Sequence, residues 1–316
     1  MPQSYKYLFG PVPSRRLGRS LGVDLVPYKT CSFDCIFCQL GRTTNKTVTR
    51  KEYVPVSDVL AELENRLSAN TSIDYITLSG SGEPTLHSEF GQVIEFVRNN
   101  TRIPAALLTN SSLLTDPDVR AQASTADIIK ASFSAWDQTS LKEINRPHPD
   151  VKFEQILEGL QLLRQQFSGE IRLEVFLVWG TNTTQRAVQN IAEQVKNIAP
   201  DRIQLNTTSR PPCEQYAYAL PQDQMLQLAE LFDPTAEVIA EYTSESNAGG
   251  QTNQREILHM LQRRPCTIDD ICRVFGIHRN EALKYVGKLL RTGDVKKNEK
   301  KGTSYYSTEH ENEQKQ

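Results

Sequence analysis

The chain has 316 residues, 38% of them hydrophobic and 23% charged, which is ordinary for a water-soluble protein and long enough for one large domain and a smaller one. It contains no run of about 18 apolar residues, and the polar start Met1-Pro2-Gln3-Ser4 has no apolar targeting region, so neither membrane span nor secretion is indicated and a cytoplasmic protein is expected. The net charge of -2 hides an asymmetry: over residues 255–301, 12 Lys/Arg stand against 6 Asp/Glu, a net +6 that leaves -8 for the remainder.

In chain order, the opening Gly10-Pro11-Val12-Pro13-Ser14-Arg15-Arg16-Leu17-Gly18-Arg19-Ser20 is too rich in Pro, Gly and Arg for regular structure and is expected to cap one end of the fold. Its arginines suit a carboxylate or phosphate, or a salt-bridged cluster. Leu21, Val23 and Leu25 then alternate with Gly22, Asp24 and Val26, the period of a first strand. Ser57 is placed to cap a helix whose Val59, Leu60, Leu63 and Leu67 share one face, and a short buried strand follows over 75–79. The alternation continues with helix 90–97, strand 105–109, a short helix near Val119, strand 128–134, helix 153–163, strand 171–178, helix 185–198 and strand 202–205. Six strands alternating with helices call for a parallel sheet with right-handed crossovers, either open or curled into a partial barrel. A helix over 225–232 and an edge strand over 238–240 complete a domain spanning 1–242.

Residues 243–253 are small and polar and include Gly249 and Gly250, the composition of a linker. Three helix-like pieces follow, 255–261, 268–275 and 280–290, with Thr267 placed to cap the second and Gly276 to end it. A basic hairpin over 295–306 completes the pattern of a winged helix-turn-helix domain spanning 254–307, and 308–316 reads as a disordered tail. The recognition helix would carry Arg279, Lys284, Lys288 and Arg291, and the wing Lys296, Lys297, Lys300 and Lys301. That surface suits nucleic acid; a solvated face, or a protein or peptide partner, fits the same pattern.

The most specific chemistry lies in Cys31-Ser32-Phe33-Asp34-Cys35-Ile36-Phe37-Cys38, a C-x3-C-x2-C loop just after the first strand. Thiolates are soft anionic ligands, and this spacing lets one loop wrap an iron-sulfur cluster and reach three irons, leaving the fourth open for a cofactor. A structural zinc would want a fourth ligand, usually from a second C-x2-C, and the chain has none. Three clustered thiols cannot pair off as disulfides, and Cys213, Cys266 and Cys272 have no chelating spacing and read as inert thiols. His148 has no metal-ligand spacing with His87. At the next strand end, Ser79-Gly80-Ser81-Gly82-Glu83-Pro84-Thr85 puts glycines where backbone can approach a ligand closely.

These residues resemble the radical S-adenosylmethionine (radical SAM) superfamily, whose C-x3-C-x2-C loop follows the first strand of an incomplete (βα) barrel. The resemblance implies an α/β fold, a partial (βα)6 barrel with its active site at the C-terminal strand ends. It implies a 4Fe-4S cluster on Cys31, Cys35 and Cys38, with SAM bound to the open iron and cleaved by one electron to a 5'-deoxyadenosyl radical that abstracts hydrogen from a substrate. It further implies that Gly80, Gly82 and Glu83 serve the SAM amino group, with Ser81 standing where the family has a glycine. Asn110 and Ser134 would serve its ribose and carboxylate, and Phe37 its adenine. Locally satisfied polar groups and a core aromatic are the alternatives at those three positions.

Ser132, Glu174 and Asn206 add further polar side chains at strand ends. Arg146 and Arg210, each followed by proline, suit a carboxylate or phosphate of the substrate, or a structural ion pair. An electron donor such as flavodoxin or ferredoxin is expected. The GPVPSRRLG run, the CSFDCIFCQLG loop and the SGSGEPTL segment together resemble uncharacterised radical SAM oxidoreductases related to the wyosine-synthesis enzymes that modify transfer RNA. Those tRNA enzymes carry a second set of cluster cysteines ahead of the loop, whereas this chain has no cysteine before Cys31. The expectation is a radical SAM enzyme acting on RNA or tRNA, with a radical SAM activase or peptide-modifying enzyme, and an iron-sulfur transcriptional sensor, as alternatives.

Overall fold

The structure, a computed structural model, describes residues 5–14, 17–68, 72–239, 254–277, 279–300 and 302–308. Its main sheet has eight strands in the order β1 (Leu8–Ser14), β2 (Gly18–Val23), β5 (Tyr75–Leu78), β6 (Ala105–Thr109), β7 (Ile128–Ser132), β8 (Glu170–Leu177), β9 (Arg202–Thr207) and β10 (Glu237–Val238). The two strands skipped in that order, β3 (Thr30–Cys31) and β4 (Asn45–Lys46), pair with each other inside the loop after β2. From β2 onward every neighbour in the main sheet is parallel, and β1 is antiparallel to β2. Spatial order follows chain order, so each unit adds its strand on the same side and the twisted sheet curls into a partial barrel rather than a doubly wound sheet. The six parallel strands expected from the sequence are β2, β5, β6, β7, β8 and β9.

The two faces of this sheet differ. Alternate residues such as Leu21, Ile76, Leu107, Ile129, Leu173 and Leu205 pack outward on the crossover helices α1 (Val56–Ser68), α2 (Phe90–Asn100), α5 (Phe153–Gln166) and α6 (Gln185–Ile198). The residues between them line the inside, where several are buried and polar: Ser20, Thr77, Lys130, Glu174, Gln204 and Asn206. Several of them pair: Lys130 Nζ lies 2.5 Å from Glu174 Oε2, to which Asn206 Nδ2 donates at 3.1 Å, and the Ser20 and Thr77 hydroxyls lie 2.6 Å apart. Leu17, in the turn between β1 and β2, packs on Ala106 and Ile128 and plugs the end away from the cysteine loop.

The opening segment departs from expectation, since 8–14 is a strand. Prolines cannot donate to a ladder, but an edge strand with a bulge tolerates them, and the β1 register shifts between Phe9 and Val12, around Gly10-Pro11. Of its arginines, Arg19 forms an ion pair with Asp74, and Arg15 and Arg16 lie outside the described residues. The first turn of α1 starts at Val56, so Ser57 sits inside the helix, and Glu52 takes the Val56 N–H instead. A further helix, α4 (Gln138–Ile144), starts at a capping box formed by Asp137 and Ser140. The short α3 (Pro117–Ala123) and α7 (Gln222–Ala229) complete the outer layer.

The expected linker 243–253 lies outside the described residues. Beyond it, α8 (Gln254–Arg263), α9 (Ile268–Phe275), α10 (Arg279–Thr292) and the antiparallel pair β11 (Lys296–Lys300) and β12 (Thr303–Ser307) enclose a separate core that includes Ile257, Leu261, Ile271, Val286 and Leu289. Thr267 caps α9 and Gly276 ends it in the left-handed region, φ 62°. This unit packs on the outer side of β1 through α8 and α9, so the edge strand is covered. No helix among the described residues is long and apolar enough to cross a membrane.

Candidate active site at the cysteine loop

The loop after β2 brings three sulfurs to the C-terminal end of the sheet, and each receives one side-chain N–H. Lys29 Nζ donates to Cys38 at 3.1 Å, Asn110 Nδ2 to Cys31 at 3.5 Å and Asn145 Nδ2 to Cys35 at 3.2 Å. The donors come from three places: the loop itself, the end of β6 and the end of α4. Burial pushes the Cys31 thiol up to about 12 and the Cys35 thiol higher still. Thiols so desolvated stay protonated until a metal replaces the proton, and N–H groups aimed at sulfur then stabilise the thiolate. Burial opposes the Lys29 ammonium, but Cys38 and its fellow cysteines hold its pKa above the ordinary lysine value.

Backbone contacts fix the loop. Asp34 N donates to Asn145 O at 3.0 Å, Ile36 N to Ile144 O at 3.0 Å, and His148 N to Ser32 O at 2.8 Å. Outside it, Arg42 and Arg146 pair with Glu214 and Asp34. Arg146 Nη2 also donates to the Tyr216 hydroxyl at 2.8 Å. The structure therefore gives Arg146 an ion-pair role that ties the cysteine loop to the segment after β9. Arg210 reaches the loop as well, with Nη1 donating to Gln39 Oε1 at 3.3 Å, one residue past Cys38.

The glycine segment after β5 clamps onto the same loop. Lys29 N donates to Ser81 O at 2.8 Å and Glu83 N to Thr30 O at 3.2 Å. A Cβ at position 82 would lie 1.7 Å from the Thr30 carbonyl oxygen, so no other residue fits there. Gly80, at φ +142°, lies against the Asp24 carboxylate, which accepts the Ser81 N–H at 3.0 Å and the Ser81 hydroxyl at 2.5 Å. Glu83 is 2% exposed and fully engaged: Oε1 accepts from Thr85 N, Thr85 Oγ1 and Thr109 Oγ1, and Oε2 accepts from Asn110 N at 2.7 Å. Burial raises its carboxyl pKa, and these donors oppose the rise. Glu83 thus anchors the backbone of Asn110, while Ser32 Oγ and Ser112 N–H set the side-chain amide that faces Cys31.

The other predicted residues lie around the same mouth. The Ser134 hydroxyl accepts Phe176 N at 2.9 Å, and a small cavity is lined by Ser134, Ser132, Asn110, Asn145 and Phe33. Phe37 stacks on Phe176 at 4.0 Å between ring centroids, which places it in the wall between loop and barrel. Glu174 and Asn206 lie deeper, in the buried polar set described above. Sequence reasoning missed Asp24 and Lys29, whose partners are distant in sequence or lie inside the loop, and it did not connect Asn145 with a sulfur. Among the described residues no three His, Cys, Asp or Glu side chains converge on a single-ion site. A four-iron cube instead needs its thiolates apart, one on each iron, and three buried cysteines with N–H donors fit that group.

Comparison with known proteins agrees with this geometry. The sequence profile described as Radical SAM superfamily matches residues 25–195, which contain the cysteine loop, the glycine segment and the strands from β5 to β8. A UPF0026 protein of Methanocaldococcus jannaschii is 32% identical over 305 residues, covering 94% of each chain. A protein of Brachyspira hyodysenteriae named GTPase Obg is 35% identical over 306 residues, covering 96% of this chain but only 45% of that one, so this chain spans less than half of that relative. Among solved structures, anSMEcpe with bound AdoMet superposes with a TM-score of 0.51 at 18% identity, over 69% of this chain and 63% of that one, a likeness of fold. Radical SAM enzymes use a 4Fe-4S cluster and S-adenosylmethionine. The chain belongs to the radical SAM superfamily and, within it, to the UPF0026 proteins.

Proposed function

We propose that this protein is a radical SAM oxidoreductase of the cytoplasm that acts on RNA, with tRNA as the leading candidate. The observation that carries the radical chemistry is the loop of three cysteines at the strand ends, each sulfur facing a side-chain N–H donor. Cys31, Cys35 and Cys38 would hold the cluster, and the segment from Gly80 to Glu83, with Asn110, Ser134 and Phe37, would border the SAM site. When bound, cluster and SAM together supply a 5'-deoxyadenosyl radical from one electron, delivered by a donor such as flavodoxin or ferredoxin. The chain's own part is placement: Glu83 holds Asn110, Asp24 holds Ser81, and Gly82 lets the two segments touch.

The RNA reading rests on two surfaces. Trp179, Tyr216 and Tyr218 are exposed after β8 and β9 at the catalytic end, joined by the Trp179 N–H to Tyr218 O bond of 3.0 Å, and exposed aromatics there suit unstacked bases. The C-terminal unit, read as a winged helix, exposes Lys284, Lys288 and Arg291 on α10. Leu283 and Leu290 are exposed on the same helix, which favours a peptide or protein partner as the second reading.

Anaerobic reconstitution with iron and sulfide, followed by SAM and a reductant, should yield 5'-deoxyadenosine. Replacing Cys31, Cys35 or Cys38 by Ala should abolish it and strip the absorption of the cluster. Retention of that absorption in the triple variant, or a requirement for Cys213, Cys266 and Cys272, would overturn the assignment.

A further inference from the structure

We propose that Lys29 sets the reduction potential of the iron-sulfur cluster, by holding a buried ammonium against the Cys38 sulfur. This rests on the cluster reading above and goes beyond it in giving one residue a redox role. Lys29 is 3% exposed, and its Nζ is 3.1 Å from Cys38 Sγ. Its backbone is fixed on both sides: the N–H donates to Ser81 O at 2.8 Å and the carbonyl accepts Asn45 N at 3.2 Å. The residue also holds φ at 56°, a left-handed conformation that a lysine rarely adopts. The fold therefore constrains both the backbone and the charge of this one position.

The three sulfurs are not equivalent. Cys31 takes neutral N–H groups from the Asn110 side chain and the Phe33 backbone, Cys35 takes one from Asn145, and Cys38 takes a cation. The carboxylates nearby are committed elsewhere, Glu83 to Thr85, Thr109 and Asn110, and Asp34 to Thr43 and the arginine pair. One-electron reduction, by a low-potential donor, adds one negative charge to the cluster and makes or breaks no bond. A fixed positive charge at hydrogen-bond distance, with little water around it, stabilises the reduced form more than the oxidised one. Lys29 thus makes the cluster easier to reduce, and neutral donors at the other two sulfurs contribute less.

The test is a potential, not a turnover. Wild type, Lys29→Met and Lys29→Arg are reconstituted anaerobically, and the midpoint is read by electron paramagnetic resonance as dithionite is added without SAM. Lys29→Met should shift to more negative potential at unchanged iron content, and Lys29→Arg should stay close to wild type. An unshifted Lys29→Met at full iron content overturns the proposal. So does failure of both variants to take up iron, which would make Lys29 a folding residue. Loss of SAM affinity by calorimetry with the midpoint unchanged would assign Lys29 to the cofactor instead. If wild type itself holds no cluster, the reading under Proposed function falls; a loaded wild type beside an unshifted variant sinks the redox role alone.

Discussion

At the residue scale the site is a set of constraints that converge on backbone. Glu83 shows how. The superfamily resemblance points its carboxylate at the SAM amino group, whereas the structure spends both of its oxygens on Thr85, Thr109 and Asn110. Either way, removing it should weaken SAM binding, because the backbone of Asn110 would lose its anchor at the strand end beside Cys31. Glu83→Ala leaves these buried donors without their carboxylate, at a cost of about 1.5 to 3 kcal/mol in stability, and the loosened strand end should lower SAM affinity. Calorimetry on the reconstituted variant checks this, with iron content expected to persist; unchanged affinity would remove Glu83 from the site. The motif was legible from local spacing alone. The contact to Asn110, 27 residues away, was not, because no periodicity or composition encodes which strand end meets which.

At the scale of elements, what the sequence revealed is what periodicity can carry. The alternation of Leu21, Val23 and Leu25 announced β2, and short apolar runs set between helical patterns announced the parallel strands after it. Helix α4 was not announced, since Leu141 and Ile144 are its only buried apolar residues and its start depends on the Asp137 and Ser140 box. Strand β1 was hidden by its prolines, and its pairing with β2 is a tertiary fact. The same hairpin supplies the plug: Leu17 is 4% exposed and packs on Ala106 and Ile128 at the end opposite the cysteines. Leu17→Ala should cost about 2 to 5 kcal/mol, read as a lowered denaturant midpoint. Because the plug is remote from the loop, the folded variant should still take up iron; an unchanged midpoint would mean the barrel end is closed some other way.

At the scale of the whole molecule, the C-terminal unit is tied to the barrel at two places that both lead to the site. From α8, Arg263 lies 3.6 Å from Asp24, the carboxylate that holds Ser81, and its Nη2 donates to Lys6 O. From the hairpin, Lys300 Nζ donates to Arg210 O at 3.0 Å and Tyr305 OH to Ser209 O at 2.9 Å, just after β9. The hairpin expected to grip a polyanion therefore turns one lysine inward, Lys297 faces Glu299 at 2.8 Å, and Lys301 lies outside the described residues. The outward positive face is α10, with Lys284, Lys288 and Arg291, while the barrel mouth offers Trp179, Tyr216 and Tyr218. The two surfaces predict separable effects on RNA. Charge reversal of Lys284, Lys288 and Arg291 in the full chain should weaken tRNA binding and flatten its salt dependence, because each neutralised phosphate releases counterions. Alanine at Trp179, Tyr216 and Tyr218 should lower affinity by about 1 to 3 kcal/mol per stacked base and leave the salt slope unchanged. Gel-shift titrations with tRNA and duplex DNA at two salt concentrations read both. Absence of binding at low salt would leave the leucines of α10, Leu283 and Leu290, and a peptide substrate as the better reading, with SAM cleavage at the cysteine loop unaffected.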